Sequence, residues 1–297
     1  MKSKPTVTVG IPAYNEEASI GRLVQSILAQ KHTNYNLKEL IIVSDGSTDN
    51  TVKVIQGIND KRIKLISHPD RAGKTTRQNE ILRLATGDYL FFCDADIELK
   101  GNCLFDNILT SLVNNEQFGI AGVNTSPKPA RTAFEKCINA SVSMQQEIRR
   151  KWNGGNNVLS FRGALLVLSK RYYNDIKLPN IIANDAYLYI AAIHNGFNPV
   201  YLLNTIVYYK SPATLSDHIK QASRFHVSFL ELKKYLSPGD SKYFEIPKVL
   251  FFTELIAAMF RAPIKMLGYF GIQLFVKIFQ SKNKAVAWDI ATTTKSE

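Results

Sequence analysis

The sequence has few cysteines, no uninterrupted apolar segment of membrane-spanning length and fewer acidic than basic residues. The three cysteines of the 297 residues, Cys93, Cys103 and Cys137, have no metal-type spacing. We therefore expect neither a disulfide framework nor a cysteine-bound metal, and we interpret them as reduced thiols that serve as small hydrophobic groups. The first residues have neither the length nor the cleavage site of a signal peptide, and none is predicted.

The shortage of acidic residues leaves a formal net charge of +12, from 37 Lys and Arg against 25 Asp and Glu. Three partners would explain this charge: nucleic acid, an anionic membrane surface or a phosphorylated ligand. No basic cluster is interleaved with aromatic residues, so we expect no nucleic-acid partner. A hydrophobic content of 45% indicates a folded globular chain.

The first hundred residues alternate between apolar, β-branched segments and helical segments. The apolar segments at residues 6–11, 40–43, 63–66 and 89–93 each end in a polar loop, and helical patterns follow the first three. This alternation predicts a mostly parallel sheet covered by helices on both faces. Because ligands bind beyond the carboxyl ends of parallel strands, we expect these loops to form one site.

Three of the polar loops contain side chains suited to an anionic ligand and a hard cation. Asp94-Ala-Asp96 follows a buried strand, and carboxylate oxygens suit Mg²⁺ or Mn²⁺, although such pairs also occur as helix caps. Asp45 can accept from a ribose hydroxyl or a base, or stabilise a turn, and the neighbouring Ser47 or Thr48 can cap the next helix. Lys74 can approach a diphosphate or remain solvated.

Four motifs occur in a fixed order: Val9-Gly-Ile-Pro-Ala-Tyr-Asn-Glu-Glu17, Ile42-Val-Ser-Asp-Gly-Ser-Thr-Asp49, Ala72-Gly-Lys74 and Phe92-Cys-Asp-Ala-Asp96. In this order and spacing they resemble the nucleotide-sugar-binding half of the family 2 glycosyltransferases. The resemblance implies an α/β GT-A fold, a UDP- or GDP-linked sugar donor, and Mn²⁺ or Mg²⁺ as cofactor.

The same resemblance implies roles for individual residues. Asp45 would contact the nucleoside, and Asp94 the donor sugar or ribose. Asp96 would be the metal ligand, with Asp94 as a less certain second ligand. The donor-binding residues implied in all are Pro12, Ala13, Tyr14, Glu16, Asp45, Gly73, Lys74, Asp94, Ala95, Gln221 and Arg224.

The second half of the chain should supply the acceptor site. Residues 161–168 resemble a family strand in which a glycine, here Gly163, lets the backbone approach the sugar. In the family a Glu-Asp pair opens a later helix and its Asp is the general base. Asp185 occupies that place, with Asn184 where Glu is usual, so Asp185 is the expected base and acceptor residue.

Residues 211–225 resemble the Gln-x-x-Arg-Trp signature of polysaccharide synthases and some glycolipid glucosyltransferases, with Phe225 in place of Trp. Gln221 and Arg224 share one face of the predicted helix. The resemblance implies that Arg224 acts catalytically on the departing diphosphate and that Phe225 lies under the acceptor sugar. His218 is expected to be a surface histidine of the helix, and a third metal ligand is the less certain alternative.

Beyond residue 237 the chain becomes richer in apolar residues. Residues 249–260 and 264–279 fall short of the roughly 20 apolar residues that span a membrane. A stripe of Arg261, Lys265, Gln273 and Lys277 predicts a basic-faced amphipathic region, in peripheral contact with the membrane through residues 249–279. A hairpin packed on the rest of the chain or on a second copy is the alternative. The polar residues 281–297 are not expected to span.

These patterns together predict a GT-A catalytic domain over residues 1–237, with a nucleotide-sugar half (1–100) and an acceptor half (101–237). A C-terminal amphipathic helical region (238–297) would follow. The predicted function is inverting transfer of a sugar to a hydroxyl of a lipid-linked or saccharide acceptor at the cytoplasmic face of the membrane. The alternatives are a polyprenyl-phosphate sugar transferase, a subunit of a processive synthase, a nucleotidylyltransferase and an inactive nucleotide-sugar-binding protein.

Overall fold

The computed structural model describes residues 3–279. Within that range the strands are β1 (Thr6–Ala13), β2 (Asn36–Asp45), β3 (Ile63–His68), β4 (Tyr89–Cys93), β5 (Glu98–Leu99), β6 (Phe118–Pro127), β7 (Leu165–Ser169) and β8 (Asn198–Tyr209). The helices are α1 (Ile20–Leu28), α2 (Thr51–Gln56), α3 (Lys74–Leu84), α4 (Leu104–Leu112), α5 (Ala133–Lys151), α6 (Lys170–Tyr173), α7 (Asn184–His194), α8 (Leu215–Leu232), α9 (Ser241–Phe244), α10 (Lys248–Arg261) and α11 (Pro263–Phe279).

The strands form one sheet in the order β3-β2-β1-β4-β7-β6-β8-β5. Strand β7 runs antiparallel to β4 and β6, and β5 runs antiparallel to β8. The other pairs are parallel, so β1, β2, β3, β4, β6 and β8 all end at the same edge of the sheet. This arrangement confirms the predicted mostly parallel sheet, and it places the Asp45 and Asp94 loops at one edge.

Both faces of the sheet are covered by helices. Along β2, Leu40 and Ile42 pack into the core that contains α1 and α4, whereas Ile41 and Val43 pack into the core that contains α3 and α7. A strand buried on both faces requires consecutive apolar residues, since successive side chains point to opposite sides. The uninterrupted apolar segment at residues 40–43 therefore follows from the layered architecture.

The C-terminal helices α10 and α11 pack against α5 through a third apolar cluster. Its buried members are Met144, Ile148, Trp152, Ala258 and Met266. Glu254 of α10 is buried, and its carboxylate pairs with Lys151 at 2.6 Å and with Arg261 at 3.5 Å. The hairpin that was the alternative prediction is thus present in the described part of the chain. None of the described helices is both long and apolar enough to cross a bilayer.

Three local predictions are corrected by the structure. Strand β7 begins at Leu165, so Gly163 lies in the loop before it. Helix α2 begins at Thr51, and Ser47 and Thr48 instead form hydrogen bonds with Asn15. The predicted polar stripe is divided, because Arg261 contacts Glu254 and Gln273 contacts His218. The prediction for residues 281–297 lies outside the described residues, and the domain boundary at 237 stays a prediction.

Candidate active site

Four residues predicted from separate motifs come together at the carboxyl edge of the sheet. The Lys74 ammonium pairs with the carboxylate of Asp94. The backbone N–H of Gly163 donates to Asp185 Oδ2 at 3.0 Å. A Cβ atom placed on Gly163 would lie 3.2 Å from Lys74 Nζ, 3.5 Å from Asp94 Oδ2 and 3.8 Å from Asp185 Oδ2. Gly163 therefore occupies the centre of a small polar cluster formed by these four residues.

Regular structure holds each charged group of this cluster in place. The N–H of Asp94 donates to the carbonyl of Ala164 at 3.1 Å, which continues the pairing of β4 with β7. Lys74 is the first residue of α3, directly after Gly73, whose φ of 94° favours glycine. Asp185 lies in the first turn of α7, where the N–H of Ala186 donates to Asp185 Oδ1 at 2.8 Å. An ionised carboxylate is stabilised at a helix N-terminus.

Asn184, which replaces the Glu of the family pattern, joins α7 to α3. Its side chain is buried, and its amide N–H donates to the side-chain oxygen Oε1 of Gln78. Its own Oδ1 accepts from the N–H of Asp185 at 2.9 Å. A side chain with both a donor and an acceptor satisfies both neighbours, so the first turn of α7 is anchored without a second carboxylate.

Asp45 is buried and its carboxylate is occupied by hydrogen bonds from the chain. It accepts from the N–H groups of Ala72 and Gly73, at 2.8 and 2.9 Å, and from Arg77 Nε at 2.7 Å. Asp45 therefore shapes the loop that leads into Lys74. Arg77 was not predicted, because no motif includes it and its role depends on the packing of α3 against β2. The contact of Asp45 with a nucleoside stays a prediction.

The residues predicted to wall a nucleobase pocket lie at the end of β1. Pro12 and the buried Ala13 are the last residues of β1. The guanidinium of Arg71 lies 3.9 Å from the centroid of the Tyr14 ring, which brings the loop before α3 against the loop after β1. The Glu16 carboxylate accepts from the Ser19 hydroxyl at 2.9 Å. Arg71 was not predicted and is a further candidate at this wall.

The metal prediction rests on Asp94 and Asp96. Asp96 is half-buried, and Ala95 between the two carboxylates is buried. Across residues 3–279, no group of three or more His, Cys, Asp and Glu side chains could hold a metal ion. The hard oxygens of the pair fit Mg²⁺ or Mn²⁺ if diphosphate oxygens complete the coordination shell.

His218 has surroundings different from those predicted. It is buried, its Nε2 lies 3.1 Å from Gln273 Nε2 of α11, and burial lowers its pKa. Its ring packs edge-on against Phe134 at a centroid distance of 6.2 Å. The structure thus does not bring His218 into a ligand group with Asp94 and Asp96. We interpret it as a packing residue between α8 and α11.

Helix α8, which contains Gln221, Arg224 and Phe225, starts at the same edge of the sheet. Thr214 precedes it and accepts from the N–H of Asp217 at 3.2 Å. Near its other end, the Glu231 carboxylate accepts from the N–H of Ile182 at 2.9 Å, three residues before Asp185. Phe225 is 58% exposed, and the Arg224 guanidinium lies 5.9 Å from the centroid of its ring. An exposed aromatic ring is available to a saccharide.

Comparison with known proteins relates this chain to glycosyltransferases. The profile of glycosyl transferase family 2 matches residues 8–174. The putative teichuronic acid biosynthesis glycosyltransferase TuaG of Bacillus subtilis is 29% identical over 198 residues, or 65% of this chain and 74% of that protein. The Escherichia coli UDP-Glc:alpha-D-GlcNAc-diphosphoundecaprenol beta-1,3-glucosyltransferase WfgD is 33% identical over 112 residues, or 38% of this chain and 43% of WfgD.

An uncharacterized glycosyltransferase of Haemophilus influenzae is 33% identical over 123 residues, or 38% of this chain and 48% of that protein. The chain therefore matches less than half the length of two of these three relatives. Among solved structures, a Pyrobaculum calidifontis mannosyltransferase in complex with GDP-Man and Mn²⁺ has a TM-score of 0.62 at 17% identity, covering 94% of this chain and 77% of that one. Mannosyl-3-phosphoglycerate synthase from Rubrobacter xylanophilus has a TM-score of 0.56 at 14% identity, covering 82% and 80%.

Proposed function

The chain belongs to glycosyl transferase family 2 and is a glycosyltransferase with the GT-A fold, and from this premise we propose that it is an inverting enzyme. It would transfer a sugar from a UDP- or GDP-linked donor to a hydroxyl of a lipid-linked or saccharide acceptor. The observation that supports this proposal most is the convergence of Lys74, Asp94 and Asp185 around Gly163. These three side chains would supply a cation for the diphosphate (Lys74), a carboxylate for the donor (Asp94) and a base (Asp185).

In the proposed mechanism, Asp185 removes the proton from the attacking acceptor hydroxyl. The N–H groups of Gly163 and Ala186 each donate to one oxygen of Asp185, which fixes the orientation of its carboxylate. A carboxylate held in this way is available to receive a proton at a remaining lone pair. The acceptor oxygen bonds to the anomeric carbon as the bond from that carbon to the diphosphate oxygen breaks. Displacement from the opposite side inverts the configuration.

The departing diphosphate needs positive charge. Lys74, at the start of α3, supplies a cation beside Asp94. Arg224 would add a second cation, and Gln221 on the same helix face would assist it, with Phe225 beneath the acceptor sugar. Asp96, with Asp94 as a second ligand, would hold Mn²⁺ or Mg²⁺, which supplies Lewis-acid stabilisation of the leaving group when bound. A solved structure of similar fold is described in complex with Mn²⁺.

We also propose that the enzyme works at the cytoplasmic face of a membrane, in peripheral contact through residues 249–279. The outer faces of α10 and α11 present many large apolar side chains to solvent: Val249, Phe252, Ile256, Phe260, Ile264, Leu267, Phe270, Leu274, Phe275, Ile278 and Phe279. The exposed Lys248, Lys265 and Lys277 lie among them. An apolar surface with neighbouring lysines suits an anionic leaflet. A second copy of the chain is the competing occupant of this surface.

A donor screen followed by a transfer assay tests the proposed function. UDP- and GDP-linked sugars are added with Mn²⁺, and the true donor is expected to raise the melting temperature by mass action. Release of the nucleoside diphosphate is then measured with saccharide and lipid-linked acceptors. Asp185→Asn is expected to keep the donor-induced shift and to lose about 100-fold or more in transfer rate.

The conservative variant Asp185→Glu, which keeps a carboxylate, is the matched comparison and should retain part of the rate. Full transfer by Asp185→Asn would remove Asp185 from the role of base. Binding of a donor without any transfer by the wild type would favour the inactive nucleotide-sugar-binding protein instead.

A further inference from the structure

A separate pocket opens beside the candidate active site, at the carboxyl ends of β6 and β8. It has a volume of about 440 Å³, and we name it the basic pocket after four of its lining residues: Arg22, Lys128, Arg131 and Lys210. Lys128 directly follows β6, and its ammonium lies 2.5 Å from the Glu98 carboxylate. Glu98 is two residues after Asp96, so this ion pair connects one lining residue of the basic pocket to the segment that follows the predicted metal-binding loop.

The basic pocket has a large excess of positive charge. Glu135 is its one acidic lining residue, and its carboxylate is occupied by the N–H groups of Arg131 and Thr132, at 2.6 and 3.0 Å. The pKa of Lys210 is lowered by burial and by the charges of Arg131 and Lys128, against an opposing effect of Glu135. Cations gathered from three separate segments favour a multiply charged anion, such as a diphosphate.

Hydrogen bonds hold the walls of the basic pocket in place. The Asn139 amide donates to the carbonyl of Lys128 at 3.0 Å, and its Oδ1 accepts from the Ser211 hydroxyl at 2.7 Å. The N–H of Lys128 donates to the carbonyl of Tyr209 at 2.8 Å. The side chain of Asn139 therefore joins α5 to the segments that follow β6 and β8. A pocket whose walls are already ordered loses little entropy when it binds a ligand.

The basic pocket continues into a groove along α5. The groove has a volume of about 450 Å³ and shares Ala130 and Asn139 with the basic pocket. It runs past Ala140 and Met144 to Ala258 and Ala262 at the junction of α10 and α11, and Lys136, Arg261 and Lys265 also line it. That junction is flanked by Phe260 and Ile264, each 84% exposed, on the surface proposed to contact the membrane. The two cavities thus extend from the carboxyl ends of β6 and β8 to the junction of α10 and α11.

We propose that the basic pocket binds the diphosphate of a lipid-linked acceptor and that the groove along α5 receives the first part of its hydrocarbon chain. This inference rests on the proposed function, since it specifies the acceptor class of that transferase. A diphosphate in the basic pocket would leave the acceptor sugar free to extend past Glu98 towards Asp94 and Asp96. The lipid would continue towards the outer surface of α10 and α11.

Calorimetric titration with three probes tests the proposal. Farnesyl diphosphate represents both the diphosphate and the hydrocarbon chain of the acceptor. Inorganic diphosphate represents the diphosphate alone, and farnesol represents the hydrocarbon chain alone. EDTA is present throughout, so that metal-dependent binding at the donor site does not contribute. For the wild type we expect farnesyl diphosphate to bind about tenfold or more tightly than either partial probe, because head and chain both contribute free energy.

The double variant Arg131→Gln/Lys210→Met is expected to weaken farnesyl diphosphate binding about tenfold or more. The matched control, Lys31→Met/Lys53→Met, removes two exposed lysines outside both cavities and should bind the probe as the wild type does. Thermal unfolding of both double variants verifies that they are folded. Unchanged affinity in Arg131→Gln/Lys210→Met, or an equal loss in the control, would overturn the proposal.

Equal affinity of the wild type for inorganic and farnesyl diphosphate would also overturn it, and would assign the basic pocket to a free phosphate ligand. The donor screen with wild-type protein separates this inference from the proposed function. Binding of farnesyl diphosphate without binding of any nucleotide sugar would contradict the transferase mechanism and leave the pocket assignment standing. Binding of a donor without binding of farnesyl diphosphate would contradict the pocket assignment alone.

Discussion

Gly163 lies beside the ion pair of Lys74 and Asp94, and its N–H donates to the carboxylate of Asp185. The space that a Cβ would occupy is bordered by Lys74 Nζ at 3.2 Å and by Asp94 Oδ2 at 3.5 Å. Its backbone is not in the left-handed region, so the absence of a side chain matters here for volume rather than for φ. In the proposed mechanism the donor and the acceptor bind next to these three side chains.

Gly163→Ala is therefore expected to preserve the fold and to reduce activity. The added methyl group occupies space between the reacting groups, and small displacements there cost about 10- to 100-fold in kcat/KM. Steady-state kinetics and thermal unfolding measure the two effects separately. Gly239→Ala, at a glycine whose Cβ would have no neighbour within 4 Å, should change neither. Wild-type kcat/KM in Gly163→Ala would place the substrates elsewhere.

Two buried arginines differ in how their charges are compensated. Arg77 is paired with the buried carboxylate of Asp45. Arg149 is fully buried, and only its Nη1 has a described partner, the Thr125 hydroxyl at 3.0 Å. Burial and the nearby Arg162 lower the pKa of Arg149 to about 10. Arg149 thus incurs the desolvation cost of a buried charge with no described carboxylate partner.

Substitution by methionine should have opposite effects at the two positions. Arg149→Met replaces a poorly compensated guanidinium by an apolar chain, and is expected to leave the free energy of unfolding unchanged or raise it by about 1 kcal/mol or more. Arg77→Met leaves Asp45 buried without its cation and should cost about 3–5 kcal/mol. Urea unfolding measures both. If Arg149→Met lowered the free energy of unfolding by a similar amount, the guanidinium of Arg149 would have to be stabilised in the native protein.

At the scale of elements, the docking of α11 on α5 includes one close approach, at Gly268. A Cβ on Gly268 would lie 2.6 Å from Cys137 Sγ, which is shorter than van der Waals contact. Gly271, one turn further along α11, has no atom within 4 Å of its Cβ position. Met266 and Val276 of α11 are buried, and Gln273 of α11 contacts His218 of α8.

Substitution of Gly268 and of Gly271 by leucine separates the effect on the docking of α11 from the effect on helix propensity. Gly268→Leu is expected to destabilise the protein by about 1–3 kcal/mol, because the side chain is forced into the interface with α5. Gly271→Leu points into open space and should be neutral or slightly stabilising. Thermal unfolding and limited proteolysis around residues 262–263 measure the effect. Equal stability of the two variants would mean that α11 is not packed on α5 in solution.

At the scale of the whole molecule, Glu39 joins several strands of the sheet through one buried carboxylate. It accepts hydrogen bonds from the hydroxyls of Thr8 and Thr86, at 2.7 and 2.8 Å, and from Lys64 at 2.6 Å. Burial alone would raise its pKa, but the hydrogen bonds from Lys64, Thr8 and Thr86 outweigh it and lower the pKa to about 2 from an ordinary 4.5.

This pKa predicts a defined dependence of stability on pH. Since the folded pKa lies below the unfolded one, the contribution of Glu39 is complete above pH 4.5 and disappears as the pH falls towards about 2. Glu39→Gln should cost up to about 3 kcal/mol at neutral pH and little near pH 2. Urea unfolding across this range tests it, with Glu245→Gln at an exposed glutamate as control. A constant difference between Glu39→Gln and wild type would contradict the assignment.

The apolar outer surface of α10 and α11 predicts that the protein binds to a membrane surface. Phe260→Glu/Ile264→Glu introduces two carboxylates at positions that are each 84% exposed, so stability should be unaffected. Flotation with phosphatidylglycerol-containing vesicles is expected to decrease about tenfold or more, because charge repels the anionic surface and apolar contact is lost. The control Leu84→Glu/Val113→Glu alters exposed apolar residues elsewhere. A wild type that forms dimers and does not float would favour the second copy as occupant.

Much of the architecture was predictable because it depends on local patterns. The apolar segments before Asp45 and Asp94 predicted strands, and their common direction placed both loops at one edge. Lys74, Asp94 and Asp185 were predicted individually, and the structure brings them together. Arg77 and Arg71 were not predicted, since each acts through a partner distant in sequence. Neither prediction for His218, a surface residue or a metal ligand, included its burial, because that burial depends on the docking of α11, which the sequence alone does not specify.

The sequence by itself determined the glycosyltransferase family and the alternation of strands and helices, because periodicity and short motifs are properties of neighbouring residues. Only the tertiary structure decided which charges are compensated: Asp45 by Arg77, Glu39 by Lys64, and Arg149 by no described carboxylate. It also decided that α10 and α11 pack on α5 while their outer faces remain exposed. These outcomes depend on distances between segments far apart in the chain, which local patterns do not encode.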